Sequence, residues 1–456
     1  MTEELIAPVA PAGPLGLRPG EPGYAEACLA WNRHYRHEPD EVVLATSIED
    51  VVAAVRRARR EGRTVAVQAT GHGVGLTAGP GSTLLVTQGL AGLTVDPVAR
   101  TATLGAGLTW APVLAEAQRH GLAPLLGSTP HVGAVGYTLG GGFGWLGRRE
   151  GFAADRVRSV TVVLADGTVV EAGPDREPEL FWALRGGGAG SLGVVVEMTV
   201  DLVPVTDVYG GNLLYPVEQV REVFGRYRAW SEGLPPEMTS AFTVMNFPPL
   251  DLVPEPVRGR SFAIVRGCYS GDLADGAALV DEWRRWRQPA LDMFGPMPFA
   301  QVAEISQDPV DPLPALTTGS WLGGLDEEVL EGMLAATAAP GPVLFAELRH
   351  GGGALATPVA AGPAGAIARG DDWLLETVAL VTGPEAVPEA EARFGGLWQR
   401  LEGQTSRPYL NFIEGPGRVA ASRAAFEPAA WERLTAVKRA VDPDRMFSHG
   451  VDLATG

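Results

Sequence analysis

The sequence predicts an α+β protein in two lobes, and three observations carry that prediction. Near the N-terminus a strand-like "EVVLA", an amphipathic helix and a second strand "TVAVQA" follow one another, the order of a small layered α/β unit. Two glycine-dense passages, "QATGHGVG" and "TPHVGAVGYTLGGGFG", interrupt the same region. After about Val205 strand-like runs alternate with amphipathic helices, which suits an antiparallel sheet covered by helices.

Bulk properties narrow the class. At 456 residues the chain is long enough for about three domains, and two large ones fit as well. Thirty-six basic against 54 acidic residues leave a formal net charge of −18, which argues against nucleic acid or an anionic membrane surface as a partner. Two cysteines, Cys28 and Cys268, supply neither a disulfide framework nor a cysteine metal site. The opening "MTEELIAPVAPAGPLGLRPG" carries acids where a secretory signal needs positive charge, and no run approaches the roughly 20 apolar residues of a membrane span. The expected location is the cytoplasm.

Taken in order, residues 1–29 read as a loosely held arm rich in Pro, Ala and Gly. "SIEDVVAAVRRARREG" is a helix: Ser47 and Asp50 make a capping pair, Ile48, Val51, Val52 and Val55 share one face, and Gly62 ends it. Strands follow at "TVAVQA", "TLLVTQ" and "TATLGAG", then a helix from about Trp110 to His120. "SVTVVLADGTVVEA" is a hairpin turning at Asp166-Gly167, and "PELFWALRGGGAGSLGVVVEMTVDLVP" reads as helix, glycine loop and strand. In the second lobe "EQVREVFGRYRAWSEGL" is an amphipathic helix, while "TSAFTVMNF", "SFAIVRGCYSG", "PVLFAELRH" and "WLLETVALVTG" are strands. The chain closes with "RPYLNFIEGPG", a helix and "DPDRMFSHG".

Familiar phosphate and nucleophile motifs fail on context. Gly188, Gly190 and Gly193 fit G-x-G-x-x-G, but a helix precedes them and a strand follows, the reverse of a dinucleotide fingerprint. There is no P-loop, no H-E-x-x-H and no G-x-S-x-G, and the seven histidines are scattered, so no metal is assigned. His72, alone among glycines, leaves three readings: an incidental turn residue, a metal ligand, or part of a loop that grips a cofactor. Glycine-rich loops let main-chain N–H groups hold phosphate oxygens without basic side chains. Two such loops in one region favour the third reading over hairpin turns and helix caps.

These motifs resemble those of the flavoproteins related to vanillyl-alcohol oxidase and p-cresol methylhydroxylase, in their berberine-bridge-enzyme-like branch. The resemblance is strong from about Val42 to Pro204 and from Tyr409 onward, and holds in outline between. It implies a p-cresol-methylhydroxylase-type FAD-binding domain over residues 30–205, completed by 405–456, and a substrate domain over 206–404. "QATGHGVG" is similar to the family's R-x-G-G-H-S loop, which implies a covalent bond from His72 to FAD and pyrophosphate contacts along Gln68, Ala69, Thr70, Gly71, Gly73 and Val74. Gln68 and Gly73 depart from the pattern's basic residue and serine. "TPHVGAVGYTLGGGFG" matches the second motif and implicates Thr129, Val132, Gly133, Gly136, Tyr137, Gly140, Gly141 and Gly142. Thr129 stands where some relatives carry a second linking cysteine, so a single covalent link is expected. "ELFWALRGGGAGSLGVV" implicates Gly193, Val194 and Val195 on the adenosine side, and "YLN" places Tyr409 and Asn411 by the isoalloxazine.

The implied activity is an FAD-dependent oxidase that takes a hydride from a small alcohol, sugar or natural-product intermediate, with dioxygen regenerating the cofactor and releasing hydrogen peroxide. Val132, as a small residue beside the flavin in such enzymes, leans toward oxygen use. Tyr409 is the candidate base; a phenol needs a nearby cation or donor to ionise at pH 7, and Arg349 or His350 is the candidate partner on the substrate side. Trp283, Trp286 and Trp321 are candidates for lining a pocket or for core packing. A redox-neutral cyclase or isomerase, a dehydrogenase with another acceptor, and a binding protein with a degenerate flavin site stand as rivals. Oxygen uptake, the rate of reoxidation in air and the colour of the purified protein separate them.

Overall fold

Ser47 starts the helix Ile48–Glu61 with a capping box: its side chain accepts from the Asp50 N–H, the Asp50 carboxylate accepts from the Ser47 N–H, and Gly62 closes the helix at φ 65°. In the computed structural model, which describes residues 16–251, 253–359, 364–369 and 372–453, this helix buries Val51, Ala54, Val55 and Ala58. They share a core with Val43, Val65 and Leu85 from the strands beneath. Those strands, Glu41–Leu44 and Thr64–Gln68, both pair in parallel with Ser82–Val86, and Gly16–Leu17 adds an antiparallel edge. The arm expected over 1–29 lies partly outside the described residues; its remainder runs through a short helix, Tyr24–Ala27, onto this layer.

An antiparallel sheet of five strands adjoins it, in the order Leu93–Asp96, Thr101–Gly105, Val194–Asp201, Val157–Val163, Val169–Ala172. The hairpin lies where the sequence places it. Its loop spans 164–168, longer than two residues, with Gly167 at φ 80° and the Asp166 carboxylate accepting from the Thr168 N–H.

The second lobe is one antiparallel sheet, nine-stranded among the described residues. Its central run is Asp207–Pro216, Ser261–Tyr269, Met238–Asn246, Val343–His350, Trp373–Leu380, Ala315–Leu322. Helices Val220–Ser231, Leu273–Trp286, Glu327–Ala336 and Ala386–Arg400 supply the core on one face. Trp283 is fully buried in that core and Trp286 packs on it, so these two tryptophans face away from any cavity on the other side. Two of the strands lack a clean alternation in sequence because glycines interrupt them. Gly211 sits at φ 145° against the Met293 carbonyl, and Gly319 makes room for Phe412. Thr405–Pro408 is a further strand of this sheet, so the chain leaves it a few residues past the expected boundary at 404.

The last helix, Pro428–Val441, returns to the first lobe. Buried Lys438 donates to Asp442 Oδ2 (2.6 Å), to the Ser191 carbonyl (2.6 Å) and to the Phe447 carbonyl (2.8 Å), which clamps the chain end onto the 188–193 glycine loop. Lys438→Met is expected to lower unfolding free energy by about 3–5 kcal/mol, because Asp442 would keep a buried charge without its cation. Urea unfolding at pH 7 measures it.

Candidate active site

Between the lobes lies a cavity of about 380 Å³, floored by the loop after strand Thr64–Gln68. Among the described residues no backbone N–H from Thr70 to Gly75 donates a hydrogen bond. Gly71 holds φ 75°, where a Cβ would press on Ala30, and Gly75 lies so close to the His449 carbonyl that only glycine fits. Beside this run of free donors is the buried guanidinium of Arg418, from the helix Gly415–Ala421. Its Nε donates to the Ile413 carbonyl (2.8 Å), while neither terminal nitrogen has a hydrogen-bond partner among the described residues. A Cβ on Gly73 would approach Arg418 Nη2 to 3.2 Å. Free N–H groups next to a guanidinium whose terminal nitrogens are uncommitted form an anion cradle, and they fit the pyrophosphate of a dinucleotide. The Tyr137 hydroxyl, buried on the cavity wall without a partner, is a further polar atom that a ligand would satisfy.

His72 lines the cavity with its ring stacked on Trp31 at 4.3 Å and its Nδ1 hydrogen-bonded to Thr70 Oγ1 at 2.8 Å. Burial, reinforced by His131, lowers its pKa to about 4, so the imidazole is neutral and nucleophilic at pH 7. Gln68, Ala69, Thr129, Val132, Gly133, Gly136, Gly193, Val195, Tyr409 and Asn411 line the same space. The Gln68 side chain bonds His37 Nε2 (3.0 Å) and the Leu29 carbonyl (3.0 Å), which secures the arm instead of reaching an anion. Arg418 brings positive charge to the loop from the far end of the chain.

Five expected residues do not line the cavity: Gly140, Gly141, Gly142, Val194 and His350. Val194 is buried in its strand. The glycines act one step removed. A Cβ on Gly140 would overlap Asn411 Oδ1, while the N–H groups of Gly142 and Phe143 engage the Tyr409 hydroxyl. His350 is a correction: alternation along Val343–His350 sends Arg349 to the cavity and His350 to the helix-covered face, where it stacks on Trp373 at 4.5 Å. Trp321, in contrast, packs edge-on to Tyr409 at 5.9 Å and supports the site from behind.

The sheet supplies the opposite wall. Glu347 and Glu376 stand directly across from each other on neighbouring strands, a like-charge pairing that needs a cation to persist. Arg349 bridges them, Nε to Glu347 at 2.9 Å and a terminal nitrogen to Glu376 at 2.8 Å. Arg266 and Thr243 donate to the other Glu347 oxygen, at 3.0 and 2.8 Å. Burial opposes ionisation of Glu347, yet its two arginines outweigh this and hold it below the usual range. Glu376 ends the chain with one arginine. Burial pushes its pKa up, Arg349 only partly offsets that, and the Glu347 and Asp308 charges add to the rise, to about 7. Tyr409 is pushed up by burial despite Arg349, Asn411 and the two N–H groups, so its phenol is protonated at pH 7. Glu414, buried beside Asn32 Nδ2 (2.8 Å), is likewise raised by burial to about 7.

The raised carboxyls have a stability consequence. A carboxyl with a folded pKa above its unfolded 4.5 contributes fully below pH 4.5 and loses that contribution as pH rises through about 7. Glu376→Gln is therefore expected to gain on the native chain by up to about 3 kcal/mol between pH 4.5 and 8. Urea unfolding of both chains across that range checks it; a pH-independent difference would refute the assignment.

Sequence reading missed Arg418, Glu376, Asp308, Glu414 and Trp31. Only Glu376 left a trace, as a lone acid within the apolar strand "WLLETVAL".

Comparison with known proteins agrees with this geometry. Residues 39–173 match the family model described as FAD binding domain. An FAD-linked oxidoreductase of Dictyostelium discoideum is 29% identical over 275 residues, 60% of this chain and 57% of the relative. (R)-6-hydroxynicotine oxidase of Paenarthrobacter nicotinovorans is 32% identical over 203 residues, 44% of each chain. The chain thus spans about half the length of the curated relatives it matches. Among solved structures, the berberine-bridge-enzyme-like protein 1 of Physcomitrella patens superposes with a TM-score of 0.83 at 22% identity, over 97% of this chain and 98% of its own. Residues 39–173 are thus an FAD-binding domain. The fold as a whole is that of the berberine-bridge-enzyme-like protein, and in sequence the chain is similar to FAD-linked oxidoreductases.

Proposed function

We propose that this protein is an FAD-dependent oxidase of a small organic molecule. One observation carries the reading: a carboxyl of near-neutral proton affinity, Glu376, opens into the same cavity as the anion cradle and His72. The loop from Thr70 to Gly75, with Arg418, would hold the pyrophosphate, and neutral His72 would provide a single covalent tether. Bound FAD supplies the two-electron acceptor for a substrate hydride, and dioxygen then takes those electrons to give hydrogen peroxide. Glu376 accepts the substrate proton, poised near the working pH as a general base should be. Arg349 fixes the Glu376 carboxylate, and the protonated Tyr409 hydroxyl donates a hydrogen bond to the substrate. Val132, small and on the cavity wall, leaves room for dioxygen. No helix among the described residues is long and apolar enough to cross a membrane.

The test begins with acid precipitation of purified protein. Flavin colour in the pellet, mapped to the His72 peptide, together with peroxide formed in step with oxygen uptake, is the expected result. Colour in the supernatant would remove the tether. Reduced flavin that persists in air would replace the oxidase with a dehydrogenase.

A further inference from the structure

We propose that the substrate is a cationic amine with an aromatic or apolar body, its ammonium group held by Asp308; this rests on the flavin-dependent oxidation proposed above. The argument is one of missing charge. Glu347 and Glu376 share Arg349, and Arg266 gives Glu347 a second cation. Asp308, on the loop after the short helix Ala303–Ser306, brings a third carboxylate to the same wall. Its one hydrogen bond among the described residues comes from Ser128 Oγ at 2.6 Å, and the cation that feels its charge, Arg349, already bridges Glu347 and Glu376. Three carboxylates thus share two guanidiniums. The shortage registers at Glu376, whose proton affinity burial raises first and the Glu347 and Asp308 charges raise further.

Each class of substrate meets this wall differently. A carboxylate or phosphate would face unopposed like charge. A neutral sugar or alcohol would leave the shortage as it is. An ammonium group between Asp308 and Glu376 supplies the absent charge, and Phe345, Phe412 and Tyr409 offer ring surfaces that favour a cation and its apolar body. Asp308 is half-buried on the cavity lining, and the net charge of −18 draws cations toward the protein. The loop is firmly placed: Trp31 Nε1 donates to the Val310 carbonyl (3.0 Å), and the Arg33 N–H to the Leu313 carbonyl (2.9 Å).

The same residues give amine oxidation its proton path. An ammonium cannot yield a hydride from its α-carbon until nitrogen regains a lone pair. Glu376 takes one N–H proton. The α C–H bond then breaks, hydrogen and both electrons pass to FAD, and the nitrogen lone pair forms the C=N bond of an iminium product. Water hydrolyses the iminium to a carbonyl compound and ammonium. Dioxygen receives the two electrons, with the hydride hydrogen and the Glu376 proton, as hydrogen peroxide.

The experiment uses the flavin-loaded protein without oxygen and matched arylalkyl amines, alcohols and carboxylates, from benzyl to phenylbutyl. Binding is read by rapid mixing, from the shift of the visible flavin spectrum that precedes any bleaching. Amines are expected to bind about tenfold tighter than the matched alcohols, as a charge-assisted contact implies, with carboxylates weakest. In Asp308→Asn that advantage should fall to within about twofold, with flavin content and melting temperature unchanged. Alcohols or carboxylates binding as tightly as amines, no amine binding at all, or an amine advantage that survives Asp308→Asn would overturn the proposal. If an alcohol or sugar reduces the flavin while amines do not, the amine assignment falls and the oxidase reading stands. A chain that cannot be loaded with flavin would sink both.

Discussion

Glu376→Gln is expected to slow anaerobic flavin reduction by roughly 10²–10⁴-fold, the usual contribution of a positioned general base. The amide keeps the size of the side chain and its acceptor oxygen toward Arg349, so flavin loading should persist and the loss should fall on the chemical step. Glu376→Asp should restore part of the rate, because a carboxyl remains on the same strand position. Tyr409→Phe provides the contrast. Its hydroxyl is protonated at pH 7, held up by burial, so the variant loses one hydrogen-bond donor and should slow the step by about tenfold or less. If Tyr409→Phe proved the more damaging, the proton would pass through the phenol and the base would be reassigned. Rates of flavin bleaching against pH decide the matter: with Glu376 as base, the native rate rises with pH through about 7, and that limb vanishes in Glu376→Gln.

His72→Ala is expected to move all flavin from pellet to supernatant on acid precipitation. The cradle from Thr70 to Gly75 is built from main-chain N–H groups, so reversible binding should survive the loss of the imidazole. The variant should therefore emerge yellow from a desalting column when free FAD is present and fade when it is withdrawn. Retained covalent flavin in His72→Ala would place the link elsewhere. Neither cysteine is an easy alternative, since Cys28 and Cys268 are both buried, packed in the first layer and in the second-lobe sheet respectively.

Much of the first lobe was legible because its signals are local. Ser47, Asp50 and Gly62 mark a helix by chemistry confined to sixteen residues, and Asp166-Gly167 marks a turn in the same way. The first glycine loop was legible as a stretch of uncommitted main-chain N–H groups, whereas in the second the N–H groups of Gly140 and Gly141 are bonded within the helix end and stand back from the cavity. The substrate wall was not. Glu376, Arg349, Glu347 and Arg266 come from three strands, and only sheet register brings them together. Arg418 compensates for the neutral Gln68 from 350 positions away, which no spacing rule reveals. His350 was misplaced by one step in strand alternation, the smallest error that moves a side chain to the opposite face.

The His449 contact sets a schedule for making the protein. The Leu76 N–H donates to the His449 carbonyl (2.8 Å), His449 Nε2 is hydrogen-bonded to Thr64 Oγ1 (2.9 Å), and the Val65 N–H donates to the Met446 carbonyl (2.8 Å). The first glycine loop is thus finished by residues made more than 370 positions later. While the ribosome is still extending the chain, this loop has no far wall and Arg418 has not yet arrived. Cofactor capture belongs after synthesis, and the bacterial or eukaryotic host that overproduces the chain faster than it supplies FAD will accumulate a colourless form awaiting its ligand.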